Sequence, residues 1–441
     1  MKRKIYEELL NWKNSNDRKP LILDGARQVG KTWILKEFGR EEYQNVAYIN
    51  CDKAAEMKTL FFDYDINRLI RSFSSISGEE ILPEKTLIIL DEIQEIPRGI
   101  TSLKYFYEDA NEYHIVAAGS LLGVRLRSMK KADNESDFAT GFPVGKVDEL
   151  RMYPMTFSEF IEATENHMLL QQIQEHRWNE LEPFTAKLTD LLRQYYYVGG
   201  MPEVVLKYVE NENLKEVRKI QNRILREYEQ DFSKHVPEEI LSKLVMVWNS
   251  MPSQLAKENK KFIYGVVKKG GRAKEFEDAI QWLINAGFLH KVIRINKVQR
   301  PLKFYEDIGA FKLFLSDLGL LGAMVDVTAK EVLNGENYFS EYKGAFTEQY
   351  IAQEMVASGN QLYYYSKENS TLEIDFIIQK EEVYPIEVKA EENLRAKSLR
   401  TLYDENSQTK PCRFSMAGYK EQDWMVNVPL YLAAEWMEGA E

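Results

Sequence analysis

Eight consecutive residues, Gly25, Ala26, Arg27, Gln28, Val29, Gly30, Lys31 and Thr32, reproduce the spacing of a phosphate-binding loop: glycine, four residues, glycine, lysine, threonine. Glycine lets the backbone turn its N–H groups inward around phosphate oxygens, and a helix beginning behind the loop points its positive end at the same anion. Lys31 then reaches the β- and γ-phosphates of a nucleoside triphosphate, and Thr32 offers its hydroxyl to a magnesium ion. A glycine-containing turn is the plainer alternative, and a second element weighs against it. The run Thr86–Leu90 is β-branched and aliphatic throughout, as in a central parallel strand covered on both faces, and it ends in Asp91 and Glu92. Ligands of open α/β sheets bind at the carboxyl ends of strands, so Asp91 is expected to hold the magnesium through water and Glu92 to orient or deprotonate the attacking water. Ser120, just past the candidate strand Tyr113–Ala118, reads equally as a γ-phosphate sensor and as a helix N-cap.

A second set of acids lies near the other end of the chain. Leu372–Gln379 and Val383–Ala390 read as two strands joined by the turn Lys380–Glu382. Alternation along a strand places Glu387 and Lys389 on one side, Ile386 and Val388 on the other, with Asp375 on the partner strand. Such a hairpin brings Asp375 and Glu387 together as hard oxygen ligands for a divalent ion, with Lys389 beside them to orient water. Glu348, on a helix expected to begin near Gly344, is a further carboxylate. That chemistry is hydrolysis of a phosphodiester. The plainer reading is an exposed strand face, since Glu-x-Lys recurs at Glu56, Glu258 and Glu341. Against it stands Asp375, an isolated acid in an apolar strand, costly to bury unless it has a partner.

The elements that must carry these residues follow from pattern. Candidate strands at Pro20–Leu23, Asn45–Asn50, Thr86–Leu90, Tyr113–Ala118 and Val147–Met152 alternate with helices, the pattern of a doubly wound parallel sheet. Ser128–Thr140 reads as a polar surface loop, Thr156–Val236 as helical, and Tyr195–Pro202 as a tight turn with a packed aromatic cluster. Net charge is −11, which argues against a protein that coats nucleic acid. Between Lys257 and Lys303, however, twelve Lys or Arg stand against four Asp or Glu, so this stretch carries +8 and the remainder −19. Within it Ala273–Asn285 reads as an amphipathic helix, and Phe288–Val298 alternates apolar and basic residues like a two-stranded wing. DNA contact is expected there, with a solvated charged face as the alternative. Cys51 and Cys412 are too few for a disulfide framework or zinc cluster, and no apolar stretch reaches bilayer length, so the expected location is the cytoplasm, with no membrane contact.

The ordered segments Gly25–Thr32, Leu90–Gln94, Ala118–Ser120, Phe142–Lys146, Tyr153–Phe160, Val198–Glu203, Asp231–His235, Asp317–Leu320, Lys343–Glu348, Glu373–Phe376 and Pro385–Lys389 run through nearly the whole chain. In these the chain resembles a family of bacterial and archaeal AAA+-type ATPases with a carboxy-terminal restriction-endonuclease-like domain of unknown function. The resemblance implies an α/β fold in four parts: a P-loop ATPase core over 1–155, a helical lid over 156–236, a winged-helix-like domain over 237–328, and a PD-(D/E)XK nuclease-like domain over 329–441. It also implies ATP as the nucleotide. By the same likeness Glu348 is the helix acid, Asp375 and Glu387 the two metal acids, and Lys389 the lysine. Such ATPases complete their sites with an arginine from a neighbouring subunit, for which Arg125 and Arg127 are candidates, so a second copy or another protein is an implied partner. The expectation is an ATP-hydrolysing protein that acts on DNA and controls a magnesium-dependent nuclease-like domain; the alternative is an ATP-driven interaction switch whose carboxy-terminal domain is not catalytic.

Overall fold

The computed structural model describes residues 2–52, 57, 59–124, 143–257, 259–334, 339–367, 372–391 and 395–439. Arg125, Arg127, the loop 128–140, Glu56 and Glu258 lie outside the described residues. The chain divides into two compact units, Lys2–Tyr153 with Asn285–Gly287, and Pro154–Ile284 with Phe288–Glu441.

In the first unit β1 (Leu21–Gly25), β2 (Asn45–Asn50), β3 (Thr86–Asp91), β4 (His114–Ala118) and β5 (Asp148–Met152) form a wholly parallel sheet in the order β2-β3-β4-β1-β5. The parallel sheet read from the sequence is present. Period-two alternation sorts its side chains between two cores. Leu21 and Leu23 pack with Leu87, Ile89 and Val116 on one face, while Ile22 packs with Ile88, Leu90 and Ile115 on the other. Strands covered on both faces must be apolar throughout, and all six residues of β3 are buried. Because β4 lies between β1 and β3, the loop after β1, the acids ending β3 and Ser120 after β4 gather at the carboxyl ends of three adjacent strands.

The second unit holds helices from Phe157 onward and an eight-stranded sheet. Its strands are β6 (Leu289–Ile295), β7 (Glu306–Leu315), β8 (Tyr363–Ser366), β9 (Glu373–Gln379), β10 (Val383–Val388), β11 (Cys412–Ser415), β12 (Lys420–Glu421) and β13 (Val426–Pro429), in the order β12-β13-β11-β10-β9-β8-β6-β7. Several helices begin on side-chain caps. Thr156 and Glu159 form a capping box, and Asp317 accepts the N–H of Leu320 at 2.9 Å and of Gly200 at 2.6 Å. The Tyr195–Tyr197 cluster is buried at the end of the helix Thr185–Val198, which Gly199 closes at φ 75°.

The structure departs from two expectations. Phe288–Val298 is not a two-stranded wing: it contributes one strand, β6, whose antiparallel partner β7 lies further along and whose other edge pairs in parallel with β8. The apolar alternation that suggested a hairpin reflects one strand with neighbours on both edges. The helix bearing Glu348 starts at Phe339 rather than near Gly344, which is an interior residue of it.

Candidate functional site

The loop after β1 has the backbone its glycines were expected to supply. Gly25 lies at φ 146°, where a Cβ would stand 2.2 Å from the Met152 carbonyl oxygen, and Gly30 lies at φ 96° immediately before the helix Lys31–Glu42. Lys31 is buried inside the loop and its Nζ donates to the carbonyls of Gly25 and Ala26 at 2.7 Å each. Burial pushes its pKa down to about 8, against the pull of Asp24, Glu92 and Asp91.

At the adjoining strand end, Asp91 Oδ2 accepts hydrogen bonds from the Thr32 hydroxyl at 2.8 Å and the Tyr48 hydroxyl at 2.9 Å. Glu92 sits in the left-handed region at φ 55°, a conformation that costs a non-glycine residue about 1–3 kcal/mol and recurs at functional positions. Its Oε2 accepts from the Gln94 side chain and from the Ser120 hydroxyl at 3.4 Å. The structure therefore brings together Lys31, Thr32, Asp91, Glu92 and Ser120. It adds Tyr48 and Gln94, which the sequence reading left without roles; Gln94 stands two residues after Glu92 in the same segment. Thr32 and Asp91 form a hard-oxygen set that fits a nucleotide-bound magnesium ion.

The carboxy-terminal residues form a different kind of cluster. Phe376 pairs with Ile386 across β9 and β10, so Asp375 and Glu387 stand opposite each other, and Asp375 Oδ2 accepts the N–H of Val388 at 2.8 Å. Glu387 is buried, and its Oε1 lies 2.7 Å from Lys389 Nζ. The exposed-face alternative thus fails for Glu387. Register carries the row onward, since Glu387 pairs with Arg413 and Arg413 with Asn427, whose Oδ1 accepts from Arg413 Nε at 2.8 Å. A cavity of about 820 Å³ opens beside Arg413 and Asn427.

Glu348 meets two lysines that the sequence reading did not place at this site. Lys260 Nζ lies 2.6 Å from its Oε1 and Lys312 Nζ 4.0 Å from its Oε2, while Lys312 also lies 2.8 Å from Glu373. Burial raises the pKa of Glu348, reinforced by Asp375 and opposed by Lys260 and Lys312. Burial alone would lower that of Lys312, but Glu348, Glu373 and Asp375 outweigh it and hold the ammonium charged. Burial likewise raises Glu387, opposed by Lys389. One oxygen of Glu348 and one of Glu387 are buried and accept no hydrogen bond. Yet among the described residues no three His, Cys, Asp or Glu side chains are gathered to hold a metal ion. As arranged, the residues do not fit a divalent ion at this site.

The basic stretch is divided between interior and surface. Lys260 is buried and Arg294 pairs with Asp307 at 2.5 Å. Lys268, Lys269, Arg272 and Lys274 are exposed around the start of the helix Ala273–Asn285, and Lys297, Arg300 and Lys303 around the β6–β7 connection. Beside the last group Phe304 is 83% exposed. No helix among the described residues is long and apolar enough to cross a membrane.

Comparison with known proteins matches three segments of the chain to family models. Residues 17–161 match the AAA domain family, residues 189–331 a domain of unknown function (DUF8612), and residues 343–431 another (DUF4143). An uncharacterized protein of Methanocaldococcus jannaschii is 27% identical over 213 residues, which span 45% of this chain and 41% of that protein. Among solved structures, a Walker-type ATPase of Pyrococcus abyssi aligns over 74% of this chain and 95% of its own at 14% identity and a TM-score of 0.45. The Aeropyrum pernix ORC1 protein, solved in complex with DNA, aligns over 74% and 91% at 14% identity and a TM-score of 0.28.

Proposed function

We propose that this chain, whose first unit is a nucleotide-binding AAA-type ATPase domain, hydrolyses ATP, acts on DNA, and uses the nucleotide to control a nuclease-like carboxylate site in its second unit. The observation that carries the ATPase reading is the convergence of Lys31, Thr32, Asp91, Glu92 and Ser120 at three adjacent strand ends. Bound nucleotide and magnesium supply the phosphoanhydride and the charge neutralisation for its cleavage. Lys31 turns from the loop carbonyls to the phosphates, Thr32 and Asp91 present oxygens, and Glu92 orients and deprotonates water, held by Gln94 and Ser120.

Support for DNA contact comes from the element order and the exposed charge. The helices Glu238–Leu255, Tyr264–Val267 and Ala273–Asn285 precede the antiparallel pair β6–β7, with an isolated bridge between Lys261 and Lys312, the order of a winged helix. A second reading, an ATP-driven interaction switch with a non-catalytic carboxy-terminal region, is favoured by one observation: Glu348 is already answered by two lysines.

Nucleotide turnover and magnesium-dependent DNA cleavage, measured on the full chain, test both. Lys31→Ala is expected to lose nucleotide binding, and Glu92→Gln to bind but turn over at least about a hundredfold more slowly. Cleavage lost in Glu387→Gln and altered in Lys31→Ala supports the regulated nuclease; turnover without any cleavage supports the switch.

A further inference from the structure

The Asp91 carboxylate meets three donors: its Oδ2 accepts the hydroxyls of Thr32 at 2.8 Å and Tyr48 at 2.9 Å, and its Oδ1 accepts the Glu92 N–H at 3.2 Å. An ionised carboxylate oxygen has about two acceptor positions. Both positions of Oδ2 are therefore filled, and one on Oδ1 is left. A further hydrogen bond to Asp91, such as one from water on a nucleotide-bound ion, goes to Oδ1.

The two hydroxyls at Oδ2 are not equivalent. Thr32 is the second residue of the helix Lys31–Glu42, and its oxygen has a role at the ion as well as at Asp91. Tyr48 belongs to β2, which pairs with β3 from Asn45 and Thr86 through Asn50 and Asp91. In that register Tyr48 stands opposite Ile89, and Ile89 and Asp91 share a face of their strand, so the phenol spans the diagonal between the two strands. The Tyr48 ring is backed by Lys36, whose Nζ lies 3.6 Å from the ring centroid and which follows Thr32 by one helical turn. Strand and helix together fix where the hydroxyl points. Burial, with Asp91 beside it, raises the Tyr48 pKa, so the phenol remains a donor.

We propose that Tyr48 is a positioning residue for the nucleotide-bound magnesium ion: by occupying Oδ2 it holds the Asp91 carboxylate in one orientation and leaves Oδ1 to accept from the ion's water. This rests on the ATPase reading of the first unit. Tyr48 acts in this role through Asp91, not on nucleotide or ion. Without its hydroxyl Oδ2 regains an open position, and the carboxylate can meet the same water in two ways. Orientation is lost while the charge of Asp91 and the hydroxyl of Thr32 stay.

Calorimetric binding of a non-hydrolysable ATP analogue, adenylyl imidodiphosphate, to the full chain in EDTA and in Mg²⁺ tests it. Tyr48→Phe, which keeps the ring and its contact with Lys36, is expected to match the unsubstituted protein in EDTA and to bind about tenfold more weakly in Mg²⁺. Tyr48→Phe combined with Asp91→Ala should be no weaker in Mg²⁺ than Asp91→Ala alone, because the hydroxyl then has no carboxylate to orient. Thermal melting checks that each variant is folded; if Tyr48→Phe is not, Tyr48→Leu, which also lacks the hydroxyl, should show the same loss confined to Mg²⁺. Equal affinity of folded Tyr48→Phe and the unsubstituted protein in Mg²⁺, an equal loss in EDTA and in Mg²⁺, or additive losses in the double variant would overturn the positioning role while leaving the ATPase reading intact. Absence of analogue binding to the unsubstituted protein in either condition would overturn both.

Discussion

The two acid sites of this chain solve opposite electrostatic problems. At the end of β3, Asp91 is met by neutral hydroxyls of Thr32 and Tyr48 and by a backbone N–H, so its charge remains for an incoming cation to meet. In the second unit Glu348 and Glu373 are met by buried ammonium groups. Hydroxyls orient a carboxylate without cancelling it; lysines cancel it. One site is thus prepared for a charged ligand in its resting arrangement, and the other is complete without one.

The largest effect that separates the two is on stability. Lys312→Met should destabilise the protein by about 3 kcal/mol, because it removes a buried ammonium, leaving Glu348 to Lys260 alone and the half-buried Glu373 without its 2.8 Å partner. Chemical denaturation measures this, and a loss under about 1 kcal/mol would erase the contrast. Next comes pH. Burial brings the Lys31 pKa down to about 8, and phosphate contact requires the charged form, so nucleotide affinity should be level below that pH and fall up to about tenfold per unit above it. Calorimetric titration from pH 7 to 10 reads the slope; flat affinity would mean Lys31 does not carry the contact. A smaller effect is expected for Asp91→Asn without nucleotide, under about 1 kcal/mol, since an amide oxygen still accepts the two hydroxyls and the buried Lys31 keeps Asp24 and Glu92 as counter-charges. A cost comparable to that of Lys312→Met would make the sites alike. Least of all, Lys268→Ala should shift stability by under about 0.5 kcal/mol, its ion pair with Glu275 being largely in water; a larger loss would place it with the buried lysines.

The first site was legible because its chemistry is contiguous. A glycine-lysine-threonine loop and an apolar run ending in acids need only local spacing, and the five strands lie where alternation and apolar runs put them. The second site was legible in part. Asp375, Glu387 and Lys389 share a hairpin, and that hairpin formed with the expected turn. Lys260 and Lys312 come from separate elements, and Lys260 was counted with a basic stretch whose other members are largely on the surface. Lys312 did leave a signal. It interrupts the apolar run Ala310–Leu315 much as Asp375 interrupts β9, and the same argument about the cost of a lone buried charge applies to it. The single-strand nature of β6 was hidden because its partners, β7 and β8, lie beyond the segment whose alternation suggested a hairpin.

The parallel pairing of β6 with β8 bears on how this chain divides into pieces. Ile293, Arg294 and Ile295 pair with Tyr363, Tyr364 and Tyr365, across the boundary at 328/329 where the sequence suggested one domain gives way to the next. Ile295, Val298 and Leu302 share one apolar cluster with Tyr363, Ile374 and Leu399. A protein cut at that boundary would lose two strands of its sheet and expose a tyrosine-rich edge with open backbone donors and acceptors, a surface that recruits further strands from solution. The carboxy-terminal segment should therefore be far more prone to self-assembly when expressed alone than when it remains joined to the strands that precede it.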